Sequence, residues 1–247
     1  MNGKAILILG ATSSMARSLC CKLAQQGAIL HLAGRDAPEV ERIACDLAIR
    51  YQTPVTWSLV DCTEYRTHPE FFQQVLERLG RLDGVIVTLG ELGDQAQAQQ
   101  DFQQAYNILS SNYTGVVSLL TPIANYLEKQ QSGFIVGVSS VAGDRGRQSN
   151  YIYGSAKGAF SLFLQGLRNR LAKAGVQVLT VKPGFVDTKM TFGKPGMFLV
   201  ASPEAVADDI LKALTQNKDI LYTPQFWSGI MLIIRSIPEG LFKGLKL

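Results

Sequence analysis

Tyr153 and Lys157 are the two residues of this sequence whose types and spacing most clearly allow chemistry. They open a segment whose apolar residues recur at helical spacing, and residues four apart lie on one face of a helix. A phenol titrates near ~10 in water, and a neighbouring ammonium group favours the phenolate and so lowers that pKa. The pair could therefore donate or accept a proton during catalysis. The alternative is an amphipathic helix whose tyrosine and lysine only face solvent.

A serine upstream of this pair supports the chemical interpretation. The apolar run from Phe134 to Val138 predicts a buried strand, and Ser139 and Ser140 follow it directly. A hydroxyl at the carboxyl end of a parallel strand lies at the edge where open α/β sheets bind ligands. Ser140 precedes Tyr153 by thirteen residues, which leaves room for a loop that returns to the start of the next helix.

The order of strand, serine, loop and Tyr-x-x-x-Lys resembles the catalytic segment of the short-chain dehydrogenase/reductase family. The resemblance covers nearly the whole chain and implies hydride transfer between a nicotinamide and a carbonyl or secondary alcohol. It implies that Tyr153 protonates the developing alkoxide, Ser140 holds the carbonyl oxygen, and Lys157 holds the nicotinamide ribose. Asn112 matches the family's asparagine that holds a water in the proton relay; alternatively, it satisfies the backbone of a kinked helix. Tyr151 would lie on a different helix face and is assigned no chemistry.

The elements that must position these residues alternate strand-like runs with longer helical segments. This pattern is typical of an α/β fold, a Rossmann-type doubly wound parallel sheet of about seven strands with helices on both faces. We expect one such domain over residues 1–224, and a Gln-rich stretch from Gln95 to Gln104 that opens one long helix carrying Asn112. The predicted strands are Ala5 to Leu9, Ile29 to Ala33, Val55 to Val60, Gly84 to Thr88, Phe134 to Val138, Val176 to Val181 and Ile220 to Tyr222.

The turn between the first strand and first helix is the expected pyrophosphate site. Backbone N–H groups and a helix N-terminus receive phosphate in such a turn. The family pattern Gly-x-x-x-Gly-x-Gly keeps only Gly10, because Ser14 and Ala16 occupy the other two glycine positions. Both are small, although neither adopts a positive φ easily. A merely structural turn is the alternative. The residues expected to contact the cofactor here are Gly10, Thr12, Ser13, Ser14 and Met15.

The end of the second strand indicates which nicotinamide cofactor the chain uses. An acidic residue there would hold the ribose hydroxyls, whereas a guanidinium would pair with a 2′-phosphate. The strand leads into Arg35 and then Asp36, as in relatives that use NADPH. We therefore expect NADP(H) to be preferred, with NAD(H) as the alternative. Arg35 and Asp36 could instead pair with each other in solvent and take no part in selection.

The resemblance implies further cofactor contacts after the third, fourth and sixth strands. Asp61 matches the family position that contacts adenine, although it could also simply cap a loop or helix. The family's Asn-Asn-Ala-Gly is replaced by Val87-Thr88-Leu89-Gly90, so that only the glycine remains. The segment after the sixth strand resembles the loop over the nicotinamide. The cofactor contacts that the resemblance implies, besides Tyr153 and Lys157, are Asp61, Gly90, Pro183, Gly184, Val186 and Thr188.

The bulk composition excludes several other classes of function. The chain has 247 residues, 47% of them hydrophobic, and a net charge of +4 whose basic residues are scattered, which gives no nucleic-acid footprint. Its four cysteines show neither metal-ligand spacing nor the framework of a secreted protein, so no metal is expected. Since Met1 leads directly into a strand, without a signal peptide, a cytoplasmic location is expected.

Residues 225–247, called the tail below, are the least ordinary part of the sequence. The run from Pro224 to Arg235 is nearly apolar, and Lys243 and Lys246 follow it. It is far shorter than the ~20 residues that span a bilayer. Three interpretations remain open: a helix buried in the core or between subunits of a homo-oligomer (dimer or tetramer), a peripheral membrane anchor with Trp227 at headgroup level, and a lid over an apolar substrate.

Several segments resemble one branch of the family in their wording, including Pro183 to Met190 and Tyr222 to Lys243. That branch includes the reductase subunit of decaprenylphosphoryl-ribose 2′-epimerase. The resemblance implies a lipid-linked keto-sugar, or another amphiphilic carbonyl compound, as substrate, and a location on the inner face of the membrane. The alternatives are a 3-oxoacyl or small-ketone reductase and, because glycines and asparagines are lost, a non-catalytic NADP-binding regulator or scaffold.

Overall fold

Seven parallel strands form one sheet in the computed structural model, which describes residues 1–189, 191, 193 and 199–245. Their order is β3-β2-β1-β4-β5-β6-β7, so β2 and β3 are added on one side of β1 and the later strands on the other side. The order of the strands therefore reverses between β1 and β4. The carboxyl edge beside that switch point is where open α/β sheets bind ligands. The prediction of a doubly wound parallel sheet is therefore confirmed. The strands are β1 Ala5–Leu9, β2 Ile29–Gly34, β3 Val55–Leu59, β4 Gly84–Val87, β5 Gly133–Val138, β6 Val176–Pro183 and β7 Ile220–Thr223.

Helices cover both faces of this sheet because alternate residues of each strand point to opposite sides. In β1, Ile6 and Ile8 face one apolar layer, whereas Leu7 and Leu9 face the other. The first layer is closed by α1 Ser14–Gln25, α2 Ala37–Tyr51 and α8 Pro203–Thr215. The second is closed by α3 His68–Leu79, α6 Gly115–Gln130 and α7 Tyr151–Leu171.

The prediction that Gln95 to Gln104 opens one long helix is wrong. The stretch forms two short helices, α4 Gln95–Ala98 and α5 Phe102–Leu109. Asp94 and Asp101 each accept backbone N–H groups of the residues that follow, and this capping starts a new helix at each aspartate. A π-helical turn over Ser110–Thr114, which contains Asn112, then joins α5 to α6.

The tail forms two helices, α9 Trp227–Ser236 and α10 Glu239–Phe242, with Pro238 between them. Trp227, Met231 and Phe242 are buried against the sheet domain, whereas Leu232 and Ile233 are 67% and 68% exposed. One side of the tail is therefore packed and the other open. Among the helices of the described ranges, none is long and apolar enough to cross a bilayer. Met190, Lys246 and the end of the tail at residue 247 lie outside the described residues.

Candidate active site

Ser140 and Ser139 have different roles at the carboxyl end of β5. The Ser139 hydroxyl donates to the carbonyl of Lys157 at 2.9 Å and bonds the Ser161 hydroxyl at 2.8 Å, so it fastens β5 to α7. Ser140 begins a 3₁₀ turn over Val141–Gly143, and residues 140–143 are called the serine turn below. The Ser140 hydroxyl lies close enough to the phenol of Tyr153 to lower its pKa. Ser140 is therefore the serine that meets the tyrosine.

Tyr153 and Lys157 are both buried, which rules out the solvent-facing alternative for this pair. Tyr153 is 9% exposed and Lys157 is 4% exposed, and the Lys157 Nζ lies 5.9 Å from the centroid of the phenol ring. Nζ donates to the carbonyls of Leu89 at 3.2 Å and Val138 at 3.1 Å. These carbonyls follow β4 and end β5, so two neighbouring strands hold the ammonium group. Tyr151, by contrast, is exposed at the start of α7.

Burial changes the pKa of both groups. It raises the pKa of Tyr153 to about 12, and the Ser140 hydroxyl offsets only part of this rise. It lowers the pKa of Lys157 to about 8. The expectation that the phenol pKa would be lowered is thus wrong, because a medium of low polarity disfavours each charged form. The phenol consequently holds its proton, as a general acid must before it acts.

Three glycines bring the serine turn into direct contact with the backbone of α7. A Cβ on Gly143 would lie 2.6 Å from the Gly158 nitrogen, and a Cβ on Gly158 would lie 2.9 Å from the Gly143 carbonyl oxygen. A Cβ on Gly154 would lie 2.8 Å from the Ala142 carbonyl oxygen. The contact is possible only because these residues lack side chains. It fixes the position of Ser140 relative to Tyr153.

Asn112 lies beside this group with one side of its amide unpaired. Its Nδ2 donates to the carbonyls of Glu91 at 2.7 Å and Ile108 at 2.8 Å, so it does satisfy the backbone near the π-helical turn. Its buried Oδ1 has no hydrogen-bond partner among the described residues. A Cβ on Gly90 would collide with this oxygen and would lie 2.9 Å from the Lys157 Nζ. Gly90 therefore leaves a small polar space between Asn112 and Lys157.

A cleft of about 330 Å³ runs from this region along the carboxyl edge of the sheet. Gly10 takes a φ of +88° at its floor, and the Ser13 hydroxyl accepts the Ala16 N–H at 3.1 Å to cap α1. Ser14 and Ala16 are helical, so no positive φ is required at the two positions where the family pattern has glycine. The predicted cofactor residues that line the cleft are Gly10, Thr12, Ser13, Ser14, Met15, Arg35, Gly90 and Thr188.

One end of the cleft carries charged side chains of both signs. The exposed Arg35 guanidinium lies 4.0 Å from the Glu91 carboxylate, whereas Asp36 uses its carboxylate to accept the Glu39 N–H at the start of α2. Arg35 is therefore directed into the cleft rather than onto its neighbour in sequence. The Glu39 carboxylate, which also lines the cleft, is paired with Arg17 and with Arg42.

Other predicted contacts do not line the cleft. The Asp61 carboxylate accepts the Thr63 N–H and hydroxyl, both at 2.8 Å, and the Thr63 N–H lowers the Asp61 pKa. Val60 and Cys62, on either side of Asp61, form the wall instead. The residues after β6 lie further along the same edge. Pro183 ends β6, Gly184 is covered by the Trp227 indole, and Val186 is buried beside Ala201.

Several lining residues were not predicted, namely Thr88, Glu91, Ser111 and Lys189. Thr88 donates to the Gly10 carbonyl at 2.9 Å, which joins β4 to the pyrophosphate turn. Glu91 accepts from the Ser111 hydroxyl at 3.1 Å. Each of these residues follows a strand or is next to a predicted site residue in the sequence, so its position could have identified it. The residue type at Thr88 gave no such indication, because the family pattern has asparagines after β4.

Comparisons with known proteins agree with this geometry. The family model described as short chain dehydrogenase matches residues 4–195. An uncharacterized oxidoreductase of Mycobacterium tuberculosis is 32% identical over 238 residues, which cover 96% of this chain and 95% of the relative. A short-chain dehydrogenase from Sphingobium yanoikuyae, solved in complex with NADPH, has a TM-score of 0.83 at 22% identity and covers 98% of this chain and 96% of its own. The NADPH-dependent 3-quinuclidinone reductase of Rhodotorula rubra has a TM-score of 0.81 at 21% identity, with 90% of each chain covered.

Proposed function

This chain belongs to the short-chain dehydrogenase family, and we propose that it is an NADP(H)-dependent oxidoreductase that interconverts a carbonyl compound and a secondary alcohol. The observation that carries the proposal is the buried group of Ser140, Tyr153 and Lys157 at the carboxyl edge of the sheet, next to a cleft with an anion-binding turn. Because all three residues proposed for proton transfer are present in this group, an enzyme is favoured over a cofactor-binding regulator or scaffold.

The residues of the cleft fit a dinucleotide with a pyrophosphate at its centre. Gly10 and the N-terminus of α1 present backbone N–H groups to an anion. Gly90 keeps the opposite wall open toward Lys157, and the unpaired Asn112 Oδ1 lies behind it. Gly10, Thr12, Ser13, Ser14 and Met15 would hold the pyrophosphate end, and Lys157 the nicotinamide ribose. The bound reduced cofactor supplies a hydride to the substrate carbonyl carbon.

The protein side chains would then bind and protonate the carbonyl oxygen of the substrate. The Ser140 hydroxyl donates a hydrogen bond to that oxygen and so stabilises its developing charge. Tyr153 gives its phenolic proton to the same oxygen and becomes a phenolate. The Lys157 ammonium stabilises this phenolate, and Asn112 Oδ1 holds a water that returns a proton from solvent. Oxidation of the alcohol follows the same steps in reverse.

Tyr153→Phe tests the proposal directly. The variant keeps the ring that packs in the core but lacks the acid, so turnover should fall by about 10²- to 10⁴-fold. NADPH affinity, measured by fluorescence titration, should remain within about twofold of the wild type, because binding depends mainly on the cleft. Tyr151→Phe is the matched control and should retain full activity, since Tyr151 is exposed. Undiminished turnover in Tyr153→Phe would contradict the proposal.

The preference for NADP(H) over NAD(H) is proposed from Arg35. Its guanidinium can pair with a 2′-phosphate, and the two structural neighbours described above were named with NADPH. Arg35→Ala should weaken NADPH binding about tenfold, which is the loss expected for one charge-assisted pair, and leave NADH binding within about twofold. Arg50→Ala, on the surface of α2, is the control for loss of a guanidinium. Equal weakening of both cofactors would contradict selection by Arg35.

For the substrate we propose an amphiphilic carbonyl compound, of which a lipid-linked keto-sugar is one candidate. The exposed apolar residues of the tail support this choice, because they lie on the strand-β7 side of the same sheet edge as Ser140. A 3-oxoacyl or small-ketone substrate is the alternative, and rates with 3-oxoacyl thioesters, small ketones and long-chain ketones separate them. Assembly into a dimer or tetramer remains a prediction.

A further inference from the structure

Arg145 holds the end of the tail through a dense set of contacts. Its Nη1 donates to the carbonyls of Ile234 at 2.7 Å, Arg235 at 3.1 Å and Ile237 at 2.6 Å. These are carbonyls at the C-terminal end of α9, where helices leave acceptors unsatisfied and where a positive charge is favourable. The Arg145 Nη2 donates to the Glu239 carboxylate at 2.9 Å. One guanidinium therefore ends α9 and orients the turn into α10.

The same guanidinium also seats α10 on the protein. Its central carbon lies 3.7 Å from the centroid of the Phe242 ring, a cation–π contact, and Phe242 is buried. The Arg145 side chain is only 14% exposed, so this contact is shielded from water. Beyond Met231, most side chains of the tail are exposed. The seating of residues 232–245 thus depends strongly on Arg145.

The chain segment that carries Arg145 is bonded to the sheet through the preceding residue, Asp144. Asp144 pairs with the Lys182 ammonium at 2.5 Å and accepts the Tyr222 hydroxyl at 2.7 Å. The Asp144 side chain is 3% exposed, and both of its partners lie at the carboxyl ends of β6 and β7. The serine turn immediately precedes Asp144. Ser140, the anchor Asp144 and the clamp Arg145 therefore belong to one continuous segment of six residues.

The position of the tail gives this clamp a function. The cofactor cleft lies after β1 and β4, Ser140 follows β5, and the tail follows the edge strand β7. The tail consequently lies on the β6 and β7 side of Ser140, whereas most residues that line the cofactor cleft follow strands β1 to β4. Its first helix also covers Gly184, because a Cβ there would collide with the Trp227 indole.

We propose that Arg145 is a positioning residue that fixes the tail as the outer wall of the substrate site. The inference rests on the proposed carbonyl chemistry and adds to it the device that shapes the substrate side. Arg145 does not touch reacting atoms. It acts by holding residues 232–245 against the segment that carries Ser140, so its loss should affect substrate binding more than the chemical step.

Arg145→Ala in the full-length protein tests this role, with Arg145→Lys to keep the charge but lose the forked geometry. Hydrogen exchange of the tail amides should accelerate at least about tenfold in Arg145→Ala. KM for the best wild-type substrate among 3-oxoacyl thioesters, small ketones and long-chain ketones should rise about tenfold, while kcat stays within about threefold. Arg145→Lys should give values between those of the wild type and Arg145→Ala. Arg50→Ala, at the opposite edge of the sheet, should match the wild type in both measurements.

Two results would overturn the inference. Unchanged tail exchange in Arg145→Ala would show that Arg145 is no clamp, and faster exchange with an unchanged KM would show that the tail is no wall. A wild-type protein that binds NADPH but reduces none of the panel would refute the proposed function instead. In that case exchange in residues 141–147 decides the coupling: acceleration together with the tail supports it, and unchanged protection there contradicts it.

Discussion

Lys157 is a buried cation whose hydrogen-bond partners are backbone carbonyls. Its Nζ is held by two backbone carbonyls from neighbouring strands rather than by an acid. Carbonyl dipoles stabilise the ammonium form only in part, so burial still lowers the pKa of Lys157 to about 8. The same burial raises the pKa of Tyr153 to about 12. The two groups therefore change charge in different pH ranges.

A pH dependence of reduction follows from these values. Below pH 8 the Lys157 ammonium is present to stabilise the phenolate that forms as Tyr153 gives up its proton, and above it the amine is neutral. Tyr153 keeps its proton throughout this range because its pKa is about 12. The kcat for carbonyl reduction should therefore be level below pH 8 and fall about tenfold per unit above it. Saturating NADPH at each pH is the control, and a flat profile between about pH 7 and 10 would contradict the assignment.

The helix α7 is the element that joins the acid, the cation and the serine turn. Gly158 lets the turn approach, because a Cβ there would lie 2.9 Å from the Gly143 carbonyl oxygen. Gly166, on the same helix, is exposed and would place a Cβ in open space. Gly158 thus has a steric reason to be glycine, whereas the space around Gly166 would accept a side chain.

These two glycines form a matched pair for substitution by alanine. Gly158→Ala should lower the free energy of unfolding by about 1–3 kcal/mol, because the turn must move away from α7. Gly166→Ala should raise it by about 0.5–1 kcal/mol, since alanine restricts the unfolded chain and favours helix. Urea unfolding followed by circular dichroism measures both. Equal effects of the two substitutions would show that the close contact with the serine turn does not constrain Gly158.

The whole molecule presents an apolar and basic surface at the tail. Leu232, Ile233 and Leu241 are exposed there, and Arg235 and Lys243 lie beside them. Such a surface favours the headgroup region of an anionic membrane, because apolar side chains enter it while cations meet lipid phosphate. A shared surface between subunits would also cover it. The membrane explanation predicts binding to lipid vesicles, whereas the subunit explanation predicts an oligomer in solution.

Replacing Leu232 and Ile233 together by glutamate tests the membrane explanation. The wild type should sediment with phosphatidylglycerol vesicles and release at high salt, whereas the double variant should stay in the supernatant. Ile49→Glu, at an exposed apolar residue of α2, is the control and should sediment like the wild type. Recovery of the wild type in the supernatant would contradict membrane contact, and its elution volume in gel filtration would then address the subunit explanation.

Local patterns in the sequence were sufficient for the sheet and for placing Tyr153 and Lys157 on one helix face. Buried parallel strands are continuous apolar runs, so β1 was predicted with its observed ends and the other strands within two residues. The spacing of Tyr153 and Lys157 places both on one helix face, and the apolar run before Ser139 and Ser140 places both serines at the end of a strand. The family resemblance then indicates Ser140. These features depend on residues close together in the chain, where composition and periodicity carry the information.

Tertiary structure alone decided the properties that depend on distant partners. The carbonyl of Leu89 lies 68 residues from Lys157 in the chain, and the carbonyls that Arg145 caps lie about 90 residues away from it. The direction of the Tyr153 pKa shift and the packed side of the tail both arise from burial. Burial is set by which elements pack together, and a sequence pattern records that an element is apolar but not what will cover it.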